Sequence, residues 1–375
     1  MGDARHMRRA IELAADHRTH PNPRVGAVIV DVSGQVVGEG AHEGVGLPHA
    51  EVLALEQAGD LARHSTLYVT LEPCSHQGRT PPCVEAVIGA GVAKVVIGAI
   101  DPDPRVFGKG VSRLREAGVE VETGLLEREA EAVDPAYFHH RRTGLPLVTL
   151  KLAMTLDGSV AAADNSSQWI TSEEARRDAH LLRAASDAVV VGAGTLRNDD
   201  PLLTARLEDI DIEVQPVPVI VAGSKPIPDE SRVWDRSPLV VSTGPLDVPS
   251  GEVIVVDGEG DRPDPRAAAQ ALAERGLLEV LLEGGPHVAG AWWRAGVIDR
   301  GVFYVGALMG GGRGLAPLEG DFATMAESRP VNITDVRMVG PDMRIEFLPV
   351  SPPAGGSTGE AGEGGVPSPT GREGS

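Results

Sequence analysis

Only two cysteines occur in 375 residues, Cys74 and Cys83, and the triplet His49-Ala50-Glu51 lies upstream of them. Imidazole and thiolate are both zinc ligands. If they bind one ion, the fold must bring positions 49, 74 and 83 to a single point. A zinc ion held by one His and two Cys keeps its fourth tetrahedral position for water. It lowers the pKa of that water to roughly 7. Glu51 need not be a ligand. Two residues after His49, it is placed to take the water proton and deliver it to a leaving amine.

The local pattern is consistent with this convergence. Residues 50–58 have helical composition, so His49 and Glu51 stand at a helix N-terminus. Residues 66–71 read as a strand, and Cys74 follows it through Pro73. Pro81-Pro82 suits a helix start, so Cys83 opens a helix reaching Ala90. The two ligand pairs thus sit on two adjacent helix N-termini. The order H-x-E, then P-C, then C marks zinc deaminases of nucleobases, although here eight residues, 75–82, separate the cysteines. That insert, with His76 and Arg79, is polar and turn-rich and can fold over the metal. A closed structural zinc site would take a fourth ligand from His42, His64 or His76 and would leave Glu51 without a role. A disulfide would need an oxidising compartment, which nothing in the chain suggests.

Further elements alternate. A helix is expected at 3–17, strands at 25–30 and 92–100, a helix at 110–117 and a short strand at 119–121. A charged segment, 127–142, leads to Gly144-Leu145-Pro146. A second α/β pattern follows, with strands at 147–154, 188–191, 217–221, 239–242, 252–256, 279–282 and 301–305. Helices fall at 172–185, 265–275 and 288–294. Such alternation predicts layered α/β domains. Residues 351–375 are Gly, Pro, Ser, Thr and Glu with almost nothing apolar, and are expected to be a disordered tail. The net charge of −20 argues against an extended nucleic-acid surface. No apolar run approaches a membrane span of about 20 residues, and no signal peptide is legible. A cytoplasmic protein is expected.

Residues 19–26, 48–52 and 71–83 closely resemble the deaminase half of the bifunctional riboflavin-biosynthesis deaminase–reductases. Residues 151–158, 166–171, 191–195, 199–206 and 282–291 resemble the reductase half of that family, which is similar in fold to dihydrofolate reductase. The resemblance implies an N-terminal three-layer cytidine-deaminase-like zinc domain at 1–145 and a dihydrofolate-reductase-like α/β domain at 146–350. It implies Zn2+ and NADPH as cofactors. The substrate would be a small phosphorylated pyrimidine, a diaminopyrimidinone carrying a ribosylamino 5-phosphate. Its ring amino group is hydrolysed to a carbonyl, and its ribosyl chain is then reduced to ribityl with NADPH.

By position in these motifs, His49, Cys74 and Cys83 would hold the metal, with Glu51 catalytic. Ala153, Trp169, Thr195, Asp199, Gly223 and the run Gly285-Pro286-His287-Val288-Ala289-Gly290-Ala291 would contact NADPH. Ser167, Arg183, Leu203, Arg206 and Glu283 would contact substrate. Backbone N–H groups after Gly284-Gly285 can meet a phosphate at a helix N-terminus, and arginine forks suit phosphate. Other readings stay open: Trp169 as core, Arg183 as a solvated helix residue, Asn22 as a turn residue rather than a ring contact. His76 and Arg79 are candidates for phosphate or for loop packing, and Lys151 and Asp199 for a reductase acid. Two departures from the family pattern stand out. Gly306-Ala307 replaces a common Ala-Pro pair, which bears on a cofactor-phosphate loop at 310–314, and an acidic stretch at 205–217 reads as a surface insertion. Neither half borrows an obvious residue from the other. No nucleic-acid or membrane partner is expected, and homo-oligomerisation is left open. The alternative function is deamination of another nucleobase or nucleotide, with a non-catalytic second domain.

Overall fold

The computed structural model describes residues 2–15, 17–77, 81–212, 214–320 and 323–350. The tail at 351–375 and Arg79 lie outside the described residues. Two sheets organise the chain. The first has the order β2-β1-β3-β4-β5, built from β1 (Gly26–Val30), β2 (Val36–Ala41), β3 (Thr66–Leu71), β4 (Lys94–Ala99) and β5 (Glu120–Thr123). β1 pairs antiparallel with β2 and β3, while β3, β4 and β5 run parallel. Side chains alternate between the faces of a strand, so each face takes its own helical layer. Val28, Val30, Tyr68 and Val96 pack with Met7 and Ala10 of α1 (Gly2–Ala15). Ala27, Ile29, Leu67, Val69, Val95 and Ile97 pack on the other face against α2 (Ala50–Ala58), α3 (Cys83–Gly89), α4 (Lys109–Glu116) and the later helices α5 (Glu127–Glu131) and α6 (Pro135–Thr143). The charged segment read as a connection is therefore mostly helical. Apart from the buried Asp134 its carboxylates lie toward solvent, while Ala130, Ala136, Tyr137 and Phe138 enter this core.

The second sheet has the order β10-β9-β8-β7-β13-β6-β14-β16-β15. Its strands are β6 (Leu147–Thr155), β7 (Ala188–Gly192), β8 (Val217–Val221), β9 (Leu239–Ser242), β10 (Glu252–Val255), β13 (Glu279–Leu282), β14 (Arg300–Gly306), β15 (Val331–Val339) and β16 (Asp342–Pro349); β11 (Gly258–Glu259) and β12 (Arg262–Pro263) form a separate hairpin. Pairing is parallel from β10 to β14 and antiparallel through β16 and β15. One face is covered by α9 (Pro265–Ala273) and α10 (Pro286–Ala295). The other is covered by α7 (Glu173–Ala185) and α8 (Ala193–Asp199). β15 and β16 escaped the sequence reading because β15 is an exposed edge with Ile333, Val336 and Met338 in solvent, so no buried alternation marks it.

The two halves are not separate cores. Leu147 and Leu278 are buried among the first sheet's core residues. His20 of the first half makes ring hydrogen bonds to Asp134 and to Asp187 of the second half. The expected lack of borrowed residues is thus corrected at the level of packing: these partners are more than a hundred residues apart, and no local pattern announces them.

Candidate active sites

α2 begins immediately after His49, whose backbone is extended (φ −78°, ψ 159°), and α3 begins at Cys83. β3, the middle strand of its sheet, delivers Cys74 just beyond its C-terminal end. Its exit is locked by Glu72, whose buried carboxylate accepts the Gly108 and Val111 backbone N–H groups at 2.9 and 3.2 Å. The His49, Cys74 and Cys83 ligand atoms all lie within 4.8 Å of one another. His49 Nδ1 is 2.9 Å from Cys83 Sγ and 3.6 Å from Cys74 Sγ. Zinc bonds of about 2.0–2.3 Å fit inside such a triangle, so the donor set and its spacing suit this metal. Cys74 also accepts the Cys83 backbone N–H at 3.3 Å. The Cys83 thiol and this N–H, with His49, hold the Cys74 thiol well below its ordinary range against the effect of burial, while the same pairing and burial push Cys83 up. The Cys74 direction is the one a metal thiolate needs. Glu51 is 3% exposed at the same point, and burial, then the charge of Cys74, raises its carboxyl above the usual carboxylate range.

A cavity of about 310 Å³ opens beside this triad. Asn22, His42, His76, Asp101, Arg105 and Tyr137 are among its lining residues. Asn22 Nδ2 donates to His42 Nε2 at 3.0 Å, and His42 Nδ1 donates to the Pro48 carbonyl at 3.0 Å. Burial lowers the His42 pKa, which favours this neutral tautomer. Asn22 also makes the Thr19 turn, its N–H reaching Thr19 O at 2.9 Å, so its turn role is present while its side chain lines the cavity. Tyr137 donates to both Asp101 oxygens at 3.1 Å, and burial pushes Asp101 up to about 6. Sequence reasoning missed Asp101, Asp103, Arg105 and Arg141. The available signal was the charged, Pro-punctuated run Asp101-Pro102-Asp103-Pro104-Arg105 directly after a parallel strand, where α/β sheets place their sites.

The second half holds a larger cleft of about 1830 Å³, at the end of β6 and β7 and between α7, α8 and the start of α10. Glu283, at its base, is gripped by Arg183: Nε reaches Oε1 at 2.5 Å and Nη2 reaches Oε2 at 3.0 Å. Lys151 Nζ lies 3.6 Å from Oε2. Burial alone would raise this carboxyl, but the Arg183 and Lys151 charges hold it at about 2. Arg206 lines the same cleft, and its guanidinium pKa is lowered by burial and by the charges of Arg183 and Arg232. His180 is pushed down to about 4 by burial and by Arg183 and Arg206. Arg183, Arg206 and Lys151 thus gather around Glu283 in a cleft whose mouth carries Glu208, Asp209 and Asp211. Trp169 is 65% exposed with Arg176 stacked 4.4 Å from its ring centre, which rules out a core role.

Residues 146–343 match the RibD C-terminal domain model, and residues 1–99 match the cytidine and deoxycytidylate deaminase zinc-binding region. The chain is 42% identical to the riboflavin biosynthesis protein RibD of Bacillus amyloliquefaciens, over 92% of this chain and 95% of that protein. The chain belongs to the RibD family. It is a bifunctional enzyme of riboflavin biosynthesis that joins a zinc-binding, cytidine-deaminase-like half to an NADPH-using reductase half. Among solved structures, Acinetobacter baumannii RibD superposes with a TM-score of 0.86 at 38% identity, covering 93% of this chain and 99% of that one. The Thermotoga maritima diaminohydroxyphosphoribosylaminopyrimidine deaminase/5-amino-6-(5-phosphoribosylamino)uracil reductase gives 0.83 at 34% identity, covering 93% and 99%.

Within this RibD frame, the cleft of the second half gathers Ala153, Ser167, Trp169, Arg183, Thr195, Asp199, Leu203, Arg206, Glu283, Gly285 and Pro286. Leu203 contributes mainly an edge, since its side chain is 1% exposed in the core. Gly223, just beyond β8, and His287 to Ala291, on α10, do not line the cleft. His287 is exposed and paired with Glu319, and a Cβ at Gly290 would fall 1.9 Å from Glu319 O, so Gly290 serves a close backbone approach. Asp199 is exposed at the cleft, where partial desolvation raises its carboxyl. The altered segment has a local cause. A Cβ at Gly306 would lie 2.0 Å from Ile170 O, and Ala307 donates its N–H to Asp342 at 3.2 Å, a bond proline could not make. Gly310 and Gly311 N–H groups are taken by Asp157 at 3.1 and 2.7 Å. The acidic stretch read as an insertion lines the cleft mouth, pinned by the reciprocal Ala205–Gln215 bonds and by Arg177 on Asp209. Among the described residues, no helix is long and apolar enough to cross a membrane.

Proposed function

We propose that residues 1–145 form the deaminase unit and 146–350 the reductase unit, acting in turn on one small phosphorylated pyrimidine, a diaminopyrimidinone with a ribosylamino 5-phosphate. The observation that carries the reading is the approach of His49, Cys74 and Cys83 to within 4.8 Å beside a buried carboxylate. Zinc, when bound there, supplies a water acidic enough to be deprotonated near neutral pH. Glu51 takes that proton and delivers it to the ring and the departing ammonia, a task suited to a carboxyl raised by burial. Asn22, oriented by His42, meets the ring edge. Arg105 and Arg141, both on Asp103, offer charge for the phosphate at the rim.

In the second unit NADPH, when bound, supplies the reducing equivalents. Ala153, Trp169, Thr195, Asp199, Gly285 and Pro286, which line the cleft, are the proposed cofactor contacts, while Gly223 and 287–291 stand outside it. Ser167, Arg183, Leu203, Arg206 and Glu283 are the proposed substrate contacts. Arg183 is committed to Glu283 and the Thr204 carbonyl, so Arg206 is the freer phosphate donor and Arg183 sets its field. Asp199, raised by partial desolvation, is the favoured proton donor over Lys151, which faces Glu283. A cytoplasmic setting suits two reduced cysteine ligands. Glu51→Gln tests the reading. Ammonia release should fall by about 10²–10⁴-fold, with zinc content and reduction of the deaminated compound unchanged. Retained ammonia release would refute it.

A further inference from the structure

Residues 21–23 form one wall of the deamination cavity, yet their anchorage reaches into the other half of the chain. The segment has no regular secondary structure; the Thr19 and Asn22 turn bonds, both 2.9 Å, hold it locally, and within the first half His42 takes Asn22 Nδ2 at 3.0 Å and Arg141 reaches Pro21 O at 3.5 Å. Asp134 braces it at both ends. One oxygen faces His20 Nε2 at 2.8 Å, and the other accepts the Arg24 backbone N–H at 2.9 Å. The opposite nitrogen, His20 Nδ1, donates to Asp187 at 2.7 Å. Asp187 stands just before β7 and is itself fixed, because its carboxylate accepts the Leu278 and Glu279 backbone N–H groups, each at 2.8 Å. The His20 side chain is 4% exposed, with a carboxylate on each nitrogen. None of His20, Asp134 and Asp187 lines the cavity. Gly276, also of the second half, closes on Pro21, with a Cβ position 3.1 Å from three Pro21 ring atoms.

We propose that His20 is a positioning residue for deamination: through it Asp187 of the reductase half holds the Pro21-Asn22-Pro23 wall, so the deamination site is complete only when both halves are folded together. This rests on the reading of the first cavity as the deamination site and of Asn22 as a ring contact. Substrate binding to a wall already ordered avoids the entropy of fixing a loop at that moment. Misplacing a contact group by about 1 Å can cost 10²-fold. Among the described residues none from 1–145 lines the reductase cleft, although Arg18 donates to the Val214 carbonyl at 2.7 Å beside its mouth.

The test is a double-mutant cycle on the full chain, His20→Gln with Asn22→Ala, read as KM and kcat for ammonia release and as NADPH oxidation with the deaminated compound. Each single variant should raise the deamination KM by about 10-fold or more and leave reduction unchanged. The double variant should be no worse than Asn22→Ala, because His20 acts through Asn22. If His20→Gln does not fold, Asp187→Asn, which keeps the shape and an acceptor for His20 Nδ1, carries the same cycle and should be milder than Asp187→Ala. Additive effects, or a parallel fall of both activities, would overturn the proposal. So would an unchanged KM in Asn22→Ala, which removes the ring contact. Glu51→Gln judges the site reading separately.

Discussion

Gly40→Ala should show how closely the deaminase geometry depends on the packing of α2 against β2. A Cβ at Gly40 would lie 2.3 Å from Ala50 O, 2.8 Å from Ala54 N and 2.9 Å from Leu53 Cβ. The first two are helix backbone atoms that cannot rotate away. Ordinary carbon contacts sit at about 3.5 Å, so a retreat of roughly 1 Å is required. β2 is held by its ladder to β1, with Gly40 opposite Ala27, so the helix is the part that yields. α2 starts directly after the metal ligand His49 and carries Glu51 in its first turn. The overpacking should cost about 1–3 kcal/mol of stability, and displacement of Glu51 by about 1 Å should lower ammonia release by roughly 10²-fold. Urea unfolding, metal analysis and ammonia release on one preparation read these effects, with NADPH oxidation of the deaminated compound as the internal control. A folded Gly40→Ala protein with full zinc and wild-type ammonia release would show that the β2–α2 contact does not set the position of Glu51.

Three further outcomes follow from the same geometry. Burial opposes a charged His20, but its bonds to Asp134 and Asp187 and their charges outweigh this and push its pKa up to about 9 from 6.5. Its stabilising contribution is therefore full below the unfolded value, and it is lost as pH rises through about 9. The displacement corresponds to on the order of 3 kcal/mol. Arg18, Arg24, His140 and Glu279 surround the same cluster, so the check is the difference between wild type and His20→Gln in urea unfolding from about pH 6 to 10; parallel profiles would refute it. Arg183→Ala leaves Glu283 buried with only Lys151 nearby, and should cost about 3–5 kcal/mol and abolish reduction while sparing ammonia release; a stability loss under about 1 kcal/mol would show the pair is not structural. Cys74→Ser, checked for folding, should lose zinc and ammonia release yet still oxidise NADPH on the deaminated compound, and failure to do so would mean the second site depends on the first.

The metal site was legible in the sequence because its chemistry is carried by rare residue types at the ends of regular elements. Two cysteines in the whole chain, a proline before each, and a His-x-Glu opening a helix leave few ways to place a zinc ligand set. The central strands were legible for a related reason: buried on both faces, they appear as continuous runs, the antiparallel Val25 to Val30 as well as the parallel Ala188 to Val191. What the sequence could not decide was set by contacts between distant segments. The helical character of 127–143 depends on Ala136, Tyr137 and Phe138 finding the first sheet's core, and β15 exists only because β16 gives it a partner. Arg183 could be read as a solvated helix residue until the fold placed Glu283 against its fork. His20 lay inside the resemblance at 19–26, but nothing local gave it a role. Its meaning lies in Asp134 and Asp187, 114 and 167 residues away, and a charge acquires its role from what tertiary structure places beside it out of water.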